Sequence, residues 1–143
     1  MKKIILAMVA VMVPLMLSAG STDFWFRHFS VEDGLSSSAV RAIMQDKYGF
    51  MWLGTDDGLN RYDGTTIKIY RLNPEGVNDY ISFLYDTTDR IWIGTGDGVY
   101  IYDYETENFE PFKLLTAKGD SIKTNVNHIA EDRDGNLWFS TVG

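Results

Sequence analysis

Cysteine is absent from the 143-residue chain, so disulfides and a cysteine-linked lipid anchor are both excluded. Proline is rare as well, with three in the whole chain, and there are two histidines. Apolar residues make up 45% and aromatic residues 14% of the sequence, which excludes an intrinsically disordered chain. The fold therefore has to be stabilised by the packing of apolar side chains.

Positive charge is in short supply. The chain has 13 lysines and arginines against 20 aspartates and glutamates, which gives a net charge of −7. The basic residues are scattered along the chain and form no run or stripe. Because such a surface repels a phosphate backbone, we predict that this segment does not bind nucleic acid.

The motifs that usually carry enzyme chemistry are also missing. The sequence has no glycine-rich phosphate loop, no zinc-binding helix and no nucleophile elbow. His128 is followed by acidic residues, as in a phosphoacceptor motif, but we expect it on an inner strand, at the repeat position of Ala42 and Ser82. Residues 132–136 are similar to the opening of a calcium loop, but no glutamate follows at the required spacing. We predict no catalytic residue, no cofactor and no metal site.

What the chain does have is an internal repeat built around three tryptophans. The pattern Asp-x-x-Gly-x-x-Trp, followed by an apolar residue, a small residue and threonine, occurs three times with limited variation. The tryptophans are separated by 40 and 46 residues, a period typical of propeller blades. We assign structural roles to Asp46, Gly49, Trp52 and Gly54 in the first copy, Asp86, Trp92 and Gly94 in the second, and Asp132, Gly135 and Trp138 in the third.

Each copy predicts a four-stranded antiparallel sheet with short turns. Such a blade cannot bury both of its apolar faces alone, so blades have to stack around an axis in an all-β propeller. Asp46 is expected to accept hydrogen bonds from turn amides, and Gly49 to take the positive φ of the hairpin. In the second copy, Asp86 and Asp89 are expected at the matching positions. The strands predicted for the first copy are residues 39–45, 50–55, 59–62 and 66–72.

The repeated tryptophan has two interpretations. Its ring can fill the wedge between neighbouring blades, with a small residue two positions later, Gly54, Gly94 or Ser140, allowing close packing. Alternatively, a blade tryptophan can stack on a sugar or a cofactor. Because all three copies repeat the residue, and binding residues usually break the symmetry of a repeat, the sequence favours packing.

The N-terminus predicts export. Lys2 and Lys3 precede the apolar stretch of residues 4–17, and small residues follow it, as in a signal peptide over residues 1–20. The stretch is short for a membrane span, although an uncleaved anchor is the alternative. Cleavage would remove both lysines and lower the net charge from −7 to −9. We expect a periplasmic protein.

Residues 24–143 are too few to close a propeller ring, which needs about four to eight blades. The expected architecture is an incomplete β-propeller of about two and a half blades, with units at about 34–73, 74–120 and a truncated 121–143. Three explanations stay open: a fragment of a longer protein, a chain that closes its ring by oligomerising, and a truncated reading frame.

Two stretches of this sequence carry a family resemblance. Residues 26–40, which include Val31-Glu32-Asp33-Gly34-Leu35-Ser36, and residues 46–64, which include Trp52-Leu53-Gly54-Thr55-Asp56-Asp57-Gly58-Leu59, strongly resemble the two-component regulator propeller repeat. This repeat occurs in the periplasmic sensor regions of hybrid histidine kinases from Bacteroidetes-type bacteria.

The resemblance implies a function as well as a fold. It implies the N-terminal part of a sensor propeller in a longer, dimeric hybrid kinase that binds glycan-derived oligosaccharides and controls transcription, with no enzyme activity in this segment. The alternatives are a fragment of an exported propeller enzyme acting on carbohydrates, and a nonfunctional remnant. Tyr48, Tyr80 and Tyr104 are aromatic residues that could stack on sugars, but ordinary packing explains them as well, and no ligand residue is assigned.

Overall fold

The computed structural model describes residues 24–73 and 80–142. Within these ranges the regular structure is entirely β, apart from one turn of 3-10 helix at Val31–Asp33, so the all-β prediction is confirmed. In this part of the chain no helix is long and apolar enough to cross a membrane. The predicted signal peptide, residues 1–20, lies outside the described residues.

Within the described residues, the strands form two complete four-stranded sheets, a two-stranded sheet in the third copy of the repeat and a separate two-stranded hairpin. In each, strands follow one another in chain order and every neighbouring pair is antiparallel. The first blade consists of β1 Val40–Gln45, β2 Met51–Thr55, β3 Gly58–Tyr62 and β4 Ile67–Tyr70, and the second of β5 Ile81–Asp86, β6 Arg90–Thr95, β7 Val99–Asp103 and β8 Asn108–Phe112. A hairpin of β9 Leu114–Leu115 and β10 Ser121–Ile122 precedes the third sheet, β11 Val126–Glu131 and β12 Leu137–Thr141.

The bounds predicted for the strands of the first blade differ from the observed ones by at most two residues. The hairpin formed by β9 and β10 is an element that the sequence did not predict. A further regularity is a break in strand pairing near the start of each blade's first strand, at Val40/Ala42, Ile81/Phe83 and Val126/His128. Irregularities of this kind increase the local twist of a strand.

The core lies between the blades rather than inside them. Trp52 and Leu59 of the first blade pack with Ile81, Ile91 and Ile93 of the second in one buried cluster. A second, smaller cluster joins the second blade to the third sheet and is formed by Trp92, Val99, Val126 and Ile129. The two clusters repeat one arrangement, in which the tryptophan of each blade faces the sheet that follows it.

The segment before β1 is fastened to the first blade by a buried asparagine. The side-chain oxygen of Asn60 accepts from the Ser36 backbone nitrogen at 2.9 Å, and its Nδ2 donates to the Ser36 Oγ at 2.9 Å. The hydroxyls of Ser36 and Thr55 also lie 2.8 Å apart. Leu35 beside them is buried. These contacts fix residues 34–36 on the first blade.

Replacing Gly54 by alanine is expected to destabilise the chain by about 1–3 kcal/mol, because the core at this point has no room for a methyl group. A Cβ at Gly54 would lie 2.6 Å from the Ile81 Cγ2 and 2.9 Å from the Ile81 Cβ. Ile81 is fully buried and has no space to retreat into. Urea unfolding followed by circular dichroism measures the change.

Gly96→Ala is the matched control for this prediction. A Cβ at Gly96 would meet the Tyr80 Cδ1 at an ordinary 3.6 Å, and the backbone there is not left-handed. We expect its free energy of unfolding to stay within about 0.5 kcal/mol of the parent chain. Equal losses for the two variants would show that the tight approach of the blades at Gly54 is not what makes glycine necessary.

Candidate functional site

The blades have two ends, which differ in their loops. The Asp-turn end carries the hairpins that join the first two strands of each sheet, residues 46–50, 87–89 and 132–136. The loop end carries the second turn of each complete blade, residues 56–57 and 96–98, and the residues that enter β1, β5 and β11. Every sequence-predicted residue of the repeat can be placed relative to these ends.

In the first blade, the Asp turn is organised by one carboxylate. Asp46 accepts hydrogen bonds from the backbone nitrogens of Tyr48 and Phe50, both at 2.9 Å, through its Oδ1. Its Oδ2 accepts from the indole Nε1 of Trp52 at 2.7 Å. Both Asp46 and Trp52 are buried. The carboxylate therefore shapes the hairpin and orients the tryptophan ring at the same time.

The third copy repeats this arrangement at a more exposed position. Asp132 accepts from the backbone nitrogens of Asp134 and Asn136 at 2.9 Å, and from the Trp138 Nε1 at 2.9 Å. Its pKa is lowered to about 2, first by the bond from Trp138 and then by the bonds from Asn136. Trp138 itself is 65% exposed, whereas Trp52 is fully buried. The hydrogen bond thus forms without a blade packed against the ring.

The Asp turn of the second blade is built differently. Asp86 is the last residue of β5, and its place in the strand pairing corresponds to that of Gln45 in β1. Thr87 therefore occupies the place of Asp46, and the turn is one residue shorter. The prediction that Asp86 stands at the repeat position of Asp46 is wrong.

The shorter turn has a physical explanation in its backbone. Gly49 and Gly135 take φ values of 91° and 81°, which favour glycine, and Asp89 is not among the residues with positive φ. The Asp turn of the second blade is closed by a hydrogen bond that the Thr87 backbone nitrogen donates to the Arg90 carbonyl oxygen at 2.9 Å. Without a glycine, the chain adopts the tighter turn.

Asp86 has other partners as a result. Its Oδ1 accepts from the hydroxyl of Tyr104 at 2.8 Å, and its Oδ2 accepts from the backbone nitrogen of Lys47 at 3.2 Å. Lys47 belongs to the Asp turn of the first blade. Asp86 therefore bonds the first blade to the second at the Asp-turn end.

At the loop end, an open cavity of about 460 Å³ is lined by Arg41, Asp56, Tyr80, Gly96 and Asn125. The Arg41 Nε and Nη2 donate to the two carboxylate oxygens of Asp56 at 2.7 and 3.1 Å. This bond lowers the pKa of the Asp56 carboxyl and raises the pKa of Arg41. The paired charges give the cavity wall a fixed polar edge.

The rest of the cavity lining includes an aromatic ring and an amide oxygen that has no hydrogen-bond partner among the described residues. The Arg41 guanidinium lies 5.3 Å from the centre of the Tyr80 ring, and Tyr80 rests beside Gly96. The Oδ1 of Asn125 is buried and has no hydrogen-bond partner among the described residues. A buried acceptor of this kind is satisfied when a ligand hydroxyl or a water donates to it. Aromatic, charged and amide groups together suit a polar ligand with an apolar face.

The histidine that could suggest phosphotransfer chemistry lies in a strand. His128 is part of β11, and its ring lies 4.2 Å from that of Phe83. In the strand pairing, His128 stands at the position of Ala42 and Phe83, so the prediction of Ser82 at this position is wrong by one residue. The shift has the same origin as that of Asp86, because the turn after β5 is one residue shorter than the turns after β1 and β11. Over residues 24–73 and 80–142, acidic and histidine side chains form no group able to hold a metal ion.

The comparisons with known proteins agree with this architecture. The sequence profile described as two component regulator propeller matches residues 34–57 and 121–143, which contain the Asp turns of the first and third copies. The chain carries two-component regulator propeller repeats. The second copy, with its shorter turn, lies between the two matched stretches.

The chain is also similar to proteins of two-component signalling systems. The chain is 56% identical over 59 residues to histidine kinase P4 of Formosa agariphila, a match covering 41% of this chain and 4% of that protein. It is 30% identical to the extracellular domain of BT3049, assigned to the hybrid two-component systems of B. thetaiotaomicron, with a TM-score of 0.67 over 79% of this chain and 17% of that domain.

A second solved structure supports the fold alone. The extracellular domain of BT4673 from the same organism has a TM-score of 0.59 at 23% identity, over 81% of this chain and 17% of that domain. With these matches, the propeller fold class is confirmed. The chain spans a small part of each protein it matches.

Proposed function

We propose that this chain is part of the extracytoplasmic sensor propeller of a hybrid two-component histidine kinase, and that the sensor binds oligosaccharides released from glycans. The kinase of the longer chain would turn ligand binding into transcriptional control. The observation that carries this proposal is the similarity to the BT3049 extracellular domain, at 30% identity over 79% of the chain.

The loop end provides a site consistent with a saccharide. Tyr80 offers an aromatic face, Arg41 and Asp56 offer fixed polar groups, and Asn125 offers an unsatisfied acceptor. Sugar rings combine an apolar face with hydroxyls that both donate and accept, which fits this mixture of groups. Loops at one end of a rigid scaffold are the usual location of binding residues.

The lowered pKa of the Asp56 carboxyl favours binding of a saccharide over its cleavage at this site. A general acid needs a carboxyl that holds its proton near neutral pH. The Asp56 carboxylate is bonded at both oxygens to Arg41, and its pKa is lowered rather than raised. The group is therefore suited to hold Arg41 in place and unsuited to donate a proton.

The location and assembly of the sensor form part of the same proposal. The solved relatives are extracellular domains, and the N-terminal sequence has the pattern of a signal peptide. We place the segment in the periplasm and the parent kinase in the inner membrane as a dimer. A ligand that binds two arrangements of that dimer with different affinity would bias the active one.

The proposal is tested by calorimetric titration of the chain with oligosaccharides prepared from starch, xylan, pectin and heparin. We expect one of these to bind, and Arg41→Met to weaken its binding about tenfold or more, because the polar edge of the cavity is lost. Arg71→Met is the matched control, since Arg71 also forms an exposed ion pair at the loop end, with Asp57 at 2.6 Å, outside the cavity. Binding that both variants leave unchanged would contradict the loop-end site.

A further inference from the structure

A second cavity, of about 330 Å³, lies between the first and second blades at the Asp-turn end, far along the strands from the loop-end cavity. Its volume is within the range of about 300–1,000 Å³ that is usual for small-molecule sites. It is lined by residues of both blades: Asp46, Tyr48, Phe50 and Arg61 from the first, and Tyr102, Tyr104 and Glu107 from the second.

Three tyrosines form the walls. The rings of Tyr48 and Tyr104 meet edge to face with their centres 5.2 Å apart, and those of Tyr102 and Tyr104 do so at 5.5 Å. Burial raises the pKa of both Tyr102 and Tyr104, so both phenols are neutral at physiological pH. The walls therefore present uncharged aromatic surface to whatever occupies the cavity.

Arg61 provides hydrogen-bond donors that the protein itself does not use fully. Its guanidinium carbon lies 4.7 Å from the Phe50 ring centre and 5.7 Å from that of Trp52, so the group lies against aromatic side chains. Its one hydrogen bond in the described part of the chain is a long one, from Nη1 to the Tyr102 hydroxyl at 3.5 Å. Within the same part, Arg61 has no carboxylate within salt-bridge distance.

The acceptors of the cavity differ in how far they are already occupied. Asp46 receives three hydrogen bonds from its own turn, which leaves it little further capacity. Glu107 is exposed at the rim, and it is the described non-glycine residue with a positive φ, 53°. A non-glycine residue in this conformation is uncommon and marks a position that the surrounding structure holds in place. Its carboxylate is the accessible acceptor of the cavity.

The arrangement breaks the symmetry of the repeat. Arg61 pairs with Trp52 across the first blade, and the residue that pairs with Trp92 in the second blade is Ile101. The bond between Asp86 and Tyr104 likewise depends on the shorter turn of the second blade. Packing alone would be served by an apolar residue at position 61, as position 101 demonstrates, so the arginine points to a binding role.

The charges of the cavity select the class of ligand. A cation would meet Arg61, and Lys47 already lies over one face of the Tyr104 ring and one face of the Tyr48 ring, at 4.4 and 5.1 Å from their centres. An anion could pair with Arg61 but would lie near two carboxylates, Asp46 and Glu107. An uncharged ring with several hydroxyls avoids both conflicts, because a hydroxyl accepts from a guanidinium and donates to a carboxylate.

We propose that this cavity binds one uncharged pyranose ring of a saccharide, stacked on the tyrosines and hydrogen-bonded to Arg61 and Glu107. The proposal rests on the proposed function in its ligand class and goes beyond it in assigning a second site, at the opposite end of the blades.

The test is an NMR titration of the chain with labelled tyrosine rings. Cellobiose, maltose and xylobiose are the uncharged probes, digalacturonate the anionic probe and choline the cationic probe. We expect at least one uncharged disaccharide to shift the Tyr48 and Tyr104 signals saturably. Digalacturonate and choline should bind at this site at least about tenfold more weakly than that disaccharide.

Two variants and a control assign the effect to Arg61. Arg61→Met, which keeps the apolar contacts with the rings, should weaken disaccharide binding about tenfold or more, and Arg61→Lys should recover part of that loss. Arg27→Met is the control, because Arg27 also lies over two aromatic rings, those of Phe29 and Tyr62, but outside the cavity. It should change the affinity by less than about twofold. Melting temperatures verify that each variant is folded. If Arg61→Met does not fold, the disaccharide affinity of Glu107→Gln is measured in its place.

The outcomes separate this site from the proposed function. A disaccharide that shifts Tyr80 and leaves Tyr48 and Tyr104 unmoved would overturn this site while supporting saccharide binding at the loop end. Tighter binding of digalacturonate at Tyr48 and Tyr104, or disaccharide binding that Arg61→Met does not weaken, would also overturn it. If no saccharide shifts any tyrosine, both proposals fail.

Discussion

Replacing Trp52 by alanine is expected to destabilise the chain by about 3–5 kcal/mol, the largest effect of any single substitution considered. Trp52 is fully buried, and its ring lies 5.1 Å from that of Tyr102 and 5.8 Å from that of Tyr70. The cavity left behind would lie in the centre of the cluster that joins the first two blades. Equilibrium urea unfolding followed by circular dichroism measures the loss.

Trp138→Ala is the matched control, because Trp138 holds the same repeat position and bonds Asp132 as Trp52 bonds Asp46. The two tryptophans differ in their surroundings, since Trp138 is 65% exposed. Its removal is expected to cost less than about 1 kcal/mol. The difference between the two variants isolates the contribution of packing against the following blade, and similar losses would contradict that assignment.

The repeat made the fold predictable from the sequence. Three tryptophans at similar spacing imply three similar sheets, and turn residues such as Asp46 and Gly49 mark where the strands end. These signals are local, because the hydrogen bonds of Asp46 reach at most six residues along the chain. Local chemistry of this kind can be inferred from a single sequence.

The second blade shows where a sequence pattern is insufficient. Asp86 precedes Trp92 by the same six residues that separate Asp46 from Trp52, and yet the turn between them is one residue shorter. The separation of Asp86 and Trp92 along the chain does not indicate how many of the intervening residues belong to the strands and how many to the turn. The substitution of aspartate for glycine at position 89 was the visible signal, since a residue that avoids positive φ favours a tighter turn.

Contacts between distant parts of the chain were the least predictable. Asn60 bonds Ser36 across 24 residues, and Asp86 bonds Lys47 across 39. Neither pair forms a motif, so no sequence pattern indicated them. The two cavities likewise arise where blades meet, and their lining residues are brought together by the packing of one blade on the next rather than by spacing along the chain.

Replacing Asp46 by alanine is expected to destabilise the chain by about 3 kcal/mol. The substitution removes an acceptor from three donors, of which only the Trp52 Nε1 is fully buried. That bond dominates the loss, because one hydrogen bond to a charged group contributes about 1.5–3 kcal/mol. Asp46 is 6% exposed, and water reaches the Trp52 Nε1 poorly because that ring is fully buried. The measurement is again urea unfolding followed by circular dichroism.

Asp132→Ala separates the effect of burial from that of the turn. Asp132 also bonds two turn amides and an indole, but in the more exposed third copy, where water can replace the lost acceptor. Its removal is expected to cost about 1 kcal/mol. If the loss at Asp46 exceeds the loss at Asp132, and Trp52→Phe removes part of that excess in a double-mutant cycle, the carboxylate acts by holding the buried tryptophan. Equal losses at the two positions would mean that Asp46 stabilises its hairpin alone, and that the packing of Trp52 between the blades does not depend on it.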